Sequence, residues 1–141
     1  MHIYDGKDVN GLEFFKLLIK SDEFCAELGR VVLAAGQLES VLKKAITKGE
    51  NSNILQMATL GKLISYAKDH EGLKNLIPSL EMLKDQRNYL THNIYALLSD
   101  QIEETILERK YLIDSDVWTY TERACQLRQN LNELAEIVER L

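Results

Sequence analysis

A single proline, Pro78, occurs in the 141 residues, and glycine adds only seven more helix-breaking positions. Proline and glycine punctuate chains built from short strands, so a chain with so few of them favours long helices. Pro78 is compatible with the first turn of a helix, where its missing N–H costs nothing. The sequence therefore predicts an all-α, up-down bundle of four to five helices, formed as a single domain over residues 1–141.

Apolar periodicity and capping residues give bounds to the predicted helices. The five predicted helices cover about residues 10–20, 22–47, 59–72, 76–97 and 116–141. The residues expected to cap or end them are Ser21 or Asp22, Thr59, Gly72, and Ser115 or Asp116. Residues 99–115 contain many β-branched and aromatic side chains near 103–113, a pattern that fits either a short extended segment or a short helix.

The composition argues against several classes of protein. No apolar run approaches the ~20 residues of a membrane span, and the N-terminus lacks the pattern of a signal peptide, so we expect a cytoplasmic protein without membrane contact. Cys25 and Cys125 are distant in sequence and are expected to be buried thiols. The three histidines share no metal-ligand spacing, and we therefore expect neither a metal nor a cofactor.

Charge is distributed unevenly along the chain, whose net charge is −5. Residues 41–74 contain six lysines and three acids, whereas residues 99–141 contain five bases and ten acids. The basic stretch fits ordinary solvated helix faces. It also fits the positive wall of a phosphate-binding groove, in which Lys43 and Lys62 are the candidate RNA-binding lysines.

Leucine or isoleucine occupies every inward position of the fourth predicted helix except one, which is Arg87. An unpaired guanidinium is very costly to bury, so something must compensate its charge. One interpretation is a buried ion pair that fixes the register of two helices. The other is that this part of the helix faces a groove in which Arg87 binds an anion. The inward positions are 76, 80, 83, 87, 90, 94 and 97.

A charged residue, Glu39, interrupts the second predicted helix in the same way. It falls in an apolar series that steps by four and three residues, from Leu28 through Val32 to Ile46. We therefore expect Glu39 and Arg87 to face each other or to share one polar cavity. Two glycines in this helix, Gly29 and Gly36, suggest close approach by a neighbouring element.

A polar face lies beside Arg87 on the fourth helix. It consists of Asn88, Thr91, His92 and Tyr95, which share one side of the helix at spacings of three and four residues. With Arg87 they combine a permanent cation, a base that titrates near neutral pH, and an amide. Such a set suits binding of a phosphodiester and removal of a proton from a neighbouring hydroxyl.

The segment from Arg87 to His92 reads R-N-x-x-x-H and resembles the signature of the HEPN superfamily of nucleotide-binding helical domains. The resemblance covers roughly residues 20–98 and extends to families related to the mannitol-operon repressor. It implies a metal-independent endoribonuclease of toxin–antitoxin or defence systems, with an RNA substrate and, in some systems, an antitoxin or regulatory protein partner. It also implies a homodimer in which two such motifs meet across a cleft.

The resemblance assigns a role to each residue of the motif. His92 would be the general base for a ribose 2′-hydroxyl, Arg87 would bind the scissile phosphate, and Asn88 would orient the base or the phosphate. Glu39, Thr91 and Tyr95 are the supporting candidates. The products would carry a 2′,3′-cyclic phosphate and a 5′-hydroxyl group. Two alternatives stay open, namely a non-catalytic HEPN domain that binds a protein partner or a nucleotide, and a helical adaptor in which Arg87 forms only a structural ion pair.

Overall fold

The computed structural model describes residues 3–47, 57–99 and 111–141, and within these ranges the chain is almost entirely helical. The all-α prediction is confirmed. The five α-helices are α1 (Gly11–Lys20), α2 (Asp22–Thr47), α3 (Leu60–Ala67), α4 (Ile77–Ser99) and α5 (Asp116–Glu139). A 3-10 helix, Glu71–Leu76, precedes α4, and two short strands, β1 (Asp8–Val9) and β2 (Leu112–Ile113), pair in antiparallel fashion.

Side-chain caps explain where the first helices begin. The Asn10 side chain accepts a hydrogen bond from the Glu13 amide at 2.8 Å, and the Glu13 carboxylate accepts one from the Asn10 amide at 3.2 Å. This reciprocal capping box satisfies two amides that a helix start leaves free. The Ser21 hydroxyl accepts from the Phe24 amide at 3.1 Å, and Thr59 accepts from the Lys62 amide at 3.4 Å. The predicted caps at Ser21 and Thr59 are thus confirmed.

The third helix is shorter than predicted. It ends at Ala67 rather than at Gly72, because the chain tightens into i→i+3 turns there. The amides of Asp69 and His70 donate to the carbonyls of Tyr66 and Ala67, and His70 is extended before the 3-10 helix begins. Such 3-10 turns are common at helix ends, and the apolar pattern alone does not distinguish them from α-helix.

The predicted extended segment near 103–113 is described at its C-terminal end. Leu112 pairs with Val9 and Ile113 with Asp8 in the antiparallel register, while residues 100–110 lie outside the described part of the chain. Beyond β2, the Ser115 side chain makes no capping hydrogen bond. Instead the Asp116 carboxylate accepts one from the Ile113 amide at 2.9 Å, so Asp116 connects β2 to the start of α5.

Helices α2 and α5 lie side by side and run in the same direction. Near their N-terminal ends, the rings of Phe24 and Tyr120 are 6.4 Å apart between centroids. Near their C-terminal ends, Val41 and Val138 line one cavity. Helix α4 is antiparallel to both. Asn93 near its C-terminal end accepts a hydrogen bond from Tyr120 near the start of α5.

Helical spacing predicts two overlapping apolar series on α2, the first from Phe24 through Val31 to Ala45 and the second from Leu28 through Val32 to Ile46, and the structure buries most of the first but not all of the second. The buried members are Phe24, Val31, Ala35, Leu38 and Leu42. Val32, which the second series placed inside, keeps 66% of its surface exposed. Val32 lies on the solvent side of the buried face. Glu39 follows it by two helical turns on the same side of α2, and it therefore lies at the boundary between core and solvent.

Two further expectations from the sequence are wrong. In residues 3–47, 57–99 and 111–141 no neighbouring element approaches Gly29 or Gly36, since a Cβ atom added at either position would meet no atom within 4 Å beyond the local backbone. Both glycines lie on the solvent face of α2. Cys25 is exposed and Cys125 is half-buried rather than buried, because they lie on the surface and at the edge of the contact between α2 and α5.

None of the helices in residues 3–47, 57–99 and 111–141 is long and apolar enough to cross a membrane.

Candidate functional site

Arg87 lies at the edge of the core, between two buried residues of α4. Leu83 and Leu90, one turn before and after it, are almost fully buried. The Arg87 side chain nevertheless keeps 27% of its surface exposed. Its Nη1 atom donates to Oε1 of Glu39 on α2 over 3.5 Å, and the Glu39 side chain is 25% exposed. The predicted pairing is therefore present, and both side chains are partly exposed to solvent.

Asn88 and Thr91 contact Arg87 from within α4. The Nη2 atom of Arg87 donates to Oδ1 of Asn88 over 3.4 Å, so the guanidinium has two acceptors on two different helices. The Thr91 hydroxyl donates to the main-chain carbonyl oxygen of Arg87 at 3.0 Å. We call Glu39, Arg87 and Asn88 the arginine cluster. Thr91 hydrogen-bonds the backbone of Arg87 rather than its guanidinium group.

His92 and Tyr95 project from the solvent side of α4. Within the described ranges the His92 ring makes no hydrogen bond or ion pair, and Tyr95 keeps 67% of its surface exposed. Five residues of helix separate Arg87 from His92 by about 140° and about 7.5 Å along the axis. One copy of the chain therefore presents the cation and the imidazole at different places on the surface.

The two candidate lysines differ in their relation to the arginine cluster. Lys43 is half-buried and follows Glu39 by one turn of α2, so the two side chains are neighbours on the same helix. Lys62 is exposed on α3, and its Nζ atom lies 5.7 Å from the centroid of the Tyr66 ring. Lys43 thus lies one helical turn from Glu39, whereas Lys62 lies over an aromatic ring of its own helix.

A buried polar contact next to His92 was missing from the sequence analysis. Asn93 is 3% exposed and Tyr120 is fully buried, and the Tyr120 hydroxyl donates to Oδ1 of Asn93 at 2.5 Å. The Tyr120 ring also packs edge-on against Phe14 of α1, with centroids 4.8 Å apart. The sequence signal that could have predicted this contact was a polar residue, Asn93, close to the apolar inward positions of α4. This contact fixes the segment of α4 that carries His92 against α1 and α5.

A second ion cluster, around Glu27 of α2, serves as an internal comparison. Arg128 of α5 donates to both oxygens of the Glu27 carboxylate, at 3.1 and 3.4 Å, and Arg30 donates to it at 2.9 Å. The hydrogen bonds to Glu27 raise the pKa of Arg128 against a smaller opposing effect of burial. Glu27 is only 12% exposed, and this pair ties α2 to α5. The contact between Glu39 and Arg87 is longer, single and more exposed.

No group of three or more histidine, cysteine, aspartate or glutamate side chains in the described ranges is placed to hold a metal ion.

Comparison with protein-family models, with curated proteins and with solved structures gives no match to this chain.

Proposed function

We propose that the chain is a metal-independent endoribonuclease of HEPN type, with Arg87 as the phosphate-binding residue. One observation carries the proposal. The Arg87 guanidinium occupies an otherwise apolar helix face, yet it remains 27% exposed and its only carboxylate contact recorded in the described ranges is 3.5 Å long. A purely structural arginine is expected to form closer bonds, as Arg128 does. An accessible guanidinium with spare donors fits a phosphate group.

The proposed chemistry uses an internal nucleophile. His92 accepts the proton of a ribose 2′-hydroxyl, and the resulting oxygen attacks the neighbouring phosphorus. The bond between phosphorus and the 5′-oxygen breaks as the 2′,3′-cyclic phosphate forms, and the leaving oxygen takes a proton from water to become a 5′-hydroxyl group. Arg87 stabilises the charge on the phosphate, and Asn88 orients it. The exposure of His92, which has no partner in the described ranges, supports this role, because a general base must be free to reach its proton.

The proposed active form is a homodimer. Arg87 and His92 of one copy project about 140° apart on α4, so a two-fold partner is the simplest way to supply both to one phosphate. The outward face of α2 supports this arrangement. Val32 and Leu33 are 66% and 74% exposed, and Gly29 and Gly36 on the same face leave open space beside the helix. Exposed apolar residues beside small ones, with no neighbouring element among the described residues, fit a second helix. We place the enzyme in the cytoplasm, in a toxin–antitoxin or defence system.

The alternative is a non-catalytic HEPN domain that binds a protein partner or a nucleotide. The same outward face of α2 favours it, because exposed Val32 and Leu33 suit a protein partner as well as a second copy. The net charge of −5 also fits a protein partner as readily as RNA.

Expression of the wild-type chain beside His92→Ala tests the proposal. We expect the wild type to slow growth and to degrade cellular RNA, and we expect His92→Ala to do neither at equal protein levels. A matched control is Gln129→Ala, at an exposed position of α5 away from the arginine cluster. Equal RNA damage by the wild type and His92→Ala would contradict His92 as the base. Intact RNA with all three chains would favour the non-catalytic alternative.

A further inference from the structure

A cavity of about 460 Å³ lies between the C-terminal ends of α2 and α5 and the 3-10 helix that precedes α4. Its volume is in the range of sites that hold small molecules. The buried lining residues are apolar, namely Val41, Leu73 and Val138. The exposed lining residues are Lys44, Glu139 and Leu141. The cavity therefore has an apolar interior and two charged side chains on the side that solvent reaches.

The two charged side chains have opposite signs and belong to different helices. Lys44 is on α2 and Glu139 is on α5. Neither forms an ion pair or a side-chain hydrogen bond within residues 3–47, 57–99 and 111–141, so they do not pair with each other although they line the same cavity. A ligand that carries one positive and one negative group satisfies both of them at once.

The ring of His70, which also lines the cavity, has no partner either. Both of its nitrogen atoms are buried, and neither has a hydrogen-bond partner in the part of the chain that the structure describes. At least one of the two nitrogens carries a hydrogen. A buried N–H group without an acceptor destabilises the free protein, and a ligand that supplies the acceptor recovers this loss.

We infer that this cavity binds the zwitterion of a small apolar α-amino acid, such as leucine or phenylalanine. The carboxylate pairs with Lys44, and the His70 ring rotates to donate its N–H to the same group. The ammonium group pairs with Glu139, and the apolar side chain packs against the buried wall. Lys44 follows Glu39 by five residues and projects about 140° away from it on α2. The inference is therefore independent of the arginine cluster and of the proposed function.

The first test measures dissociation constants by isothermal titration calorimetry. L-leucine is the probe, and it is compared with isocaproate, which lacks the ammonium group, and with isoamylamine, which lacks the carboxylate. We expect about 0.1 mM for leucine, a value typical of so small a ligand, and roughly tenfold weaker binding of each fragment. Equally tight binding of either fragment would overturn the assignment to a zwitterion. Absence of binding by both leucine and phenylalanine at about 10 mM would overturn the site.

The second test assigns the two charges. Lys44→Met should weaken leucine binding about tenfold and leave isoamylamine unaffected, whereas Glu139→Gln should weaken leucine binding and leave isocaproate unaffected. The controls, Lys16→Met on α1 and Glu133→Gln on α5, remove the same charges at exposed positions that do not line the cavity. Losses of the same size in the controls would show that only net charge matters, and would contradict the site.

The third test concerns His70. His70→Phe keeps a ring in the wall but removes both nitrogens. We expect a melting temperature at least as high as that of the wild type, because the buried N–H is gone, together with about fivefold weaker binding of leucine and isocaproate. Isoamylamine should bind unchanged, because it has no carboxylate. Unchanged leucine affinity, or an equal loss for isoamylamine, would contradict the hydrogen bond from His70 to the ligand.

Discussion

The hydroxyl group of Tyr120 on α5 donates a 2.5 Å hydrogen bond to Oδ1 of Asn93, the residue that follows His92 on α4. Both partners are buried, at 0% and 3% exposure. The contact joins the interior of the bundle to the helix segment that carries the candidate base. A change in the core at this point should therefore alter both stability and the placement of His92.

Replacing Tyr120 with phenylalanine tests the structural part of this relationship. The change keeps the ring against Phe14 but removes the donor to the buried Asn93 oxygen. We expect a loss of about 1–3 kcal/mol in the free energy of unfolding, measured by urea denaturation. Tyr66→Phe, at a partly exposed position of α3, is the control and should change stability by less than about 0.5 kcal/mol. Equal stability of both variants would show that the Tyr120 contact contributes nothing.

Much of the helical architecture could be predicted because it depends on local patterns. The series from Phe24 to Leu42 repeats at helical spacing, and its members are buried except Leu28, which is partly buried. The caps at Ser21 and Thr59 follow from side chains that bond to amides three residues on. Arg87 and Glu39 could be paired from sequence because each interrupts an apolar face, and a charge in such a place needs a partner.

The features of the fold that could not be predicted depend on contacts between residues that are far apart in the sequence. Asp8 pairs with Ile113 across most of the chain, and two-residue strands have no recognisable pattern. Val32 is exposed because the position of neighbouring helices, rather than periodicity, decides how wide the buried face of α2 is. The partner of Asn93 is Tyr120, twenty-seven residues away, and only the fold brings them together.

The N-terminal segment is predicted to be held by Asp114 in a pH-dependent way. Its carboxylate accepts hydrogen bonds from the amides of Asp5, Gly6 and Lys7, at 3.1, 2.7 and 3.1 Å, and Gly6 has the positive φ of +80° that this turn requires. Desolvation raises the pKa of Asp114, but hydrogen bonds from these amides and from Ser115 outweigh it, so the pKa is lowered.

A lowered pKa in the folded protein stabilises the fold above the pKa of the unfolded chain, and this contribution is lost as pH falls through the folded value. Asp114→Asn should therefore melt at a lower temperature than the wild type at pH 7. The difference should begin to shrink below about pH 4, where an aspartate of the unfolded chain takes up its proton, and it should continue to shrink as the pH falls towards the lower pKa of the folded protein. Asp85→Asn, at an exposed position of α4, controls for the loss of a charge. A difference that is constant from pH 7 to about pH 3 would contradict the role of the carboxylate.

Arg87 and Arg128 should respond differently to replacement by methionine. Arg87→Met should change the free energy of unfolding by no more than about 1 kcal/mol, because its contact with Glu39 is long and partly exposed. The affinity of the Arg87→Met variant for RNA should nevertheless be almost entirely lost. Arg128→Met should lower the melting temperature more, because it leaves the nearly buried Glu27 carboxylate without two of its hydrogen bonds. A large loss of stability in Arg87→Met, recovered by adding Glu39→Gln with RNA binding intact, would identify the pair as structural.

The outward face of α2 should hold two copies of the chain together. Light scattering at about 50 μM should give the mass of a homodimer. Leu33 is 74% exposed and lies in the middle of this apolar face. Leu33→Glu places a charge there and should yield a monomer with unchanged helix content. Ile19→Glu, at an exposed apolar position of α1, should remain dimeric. A monomeric wild type at this concentration would rule out the proposed dimer.

The central claim is that Arg87 and His92 cleave RNA without a metal ion, and end-group analysis of a cleaved oligoribonucleotide in excess EDTA tests it most directly. The account predicts that the wild type cleaves under these conditions and leaves 2′,3′-cyclic phosphate and 5′-hydroxyl ends, whereas Arg87→Met and His92→Ala do not cleave. Cleavage that stops in EDTA and returns with magnesium, or cleavage that persists in His92→Ala, would contradict it.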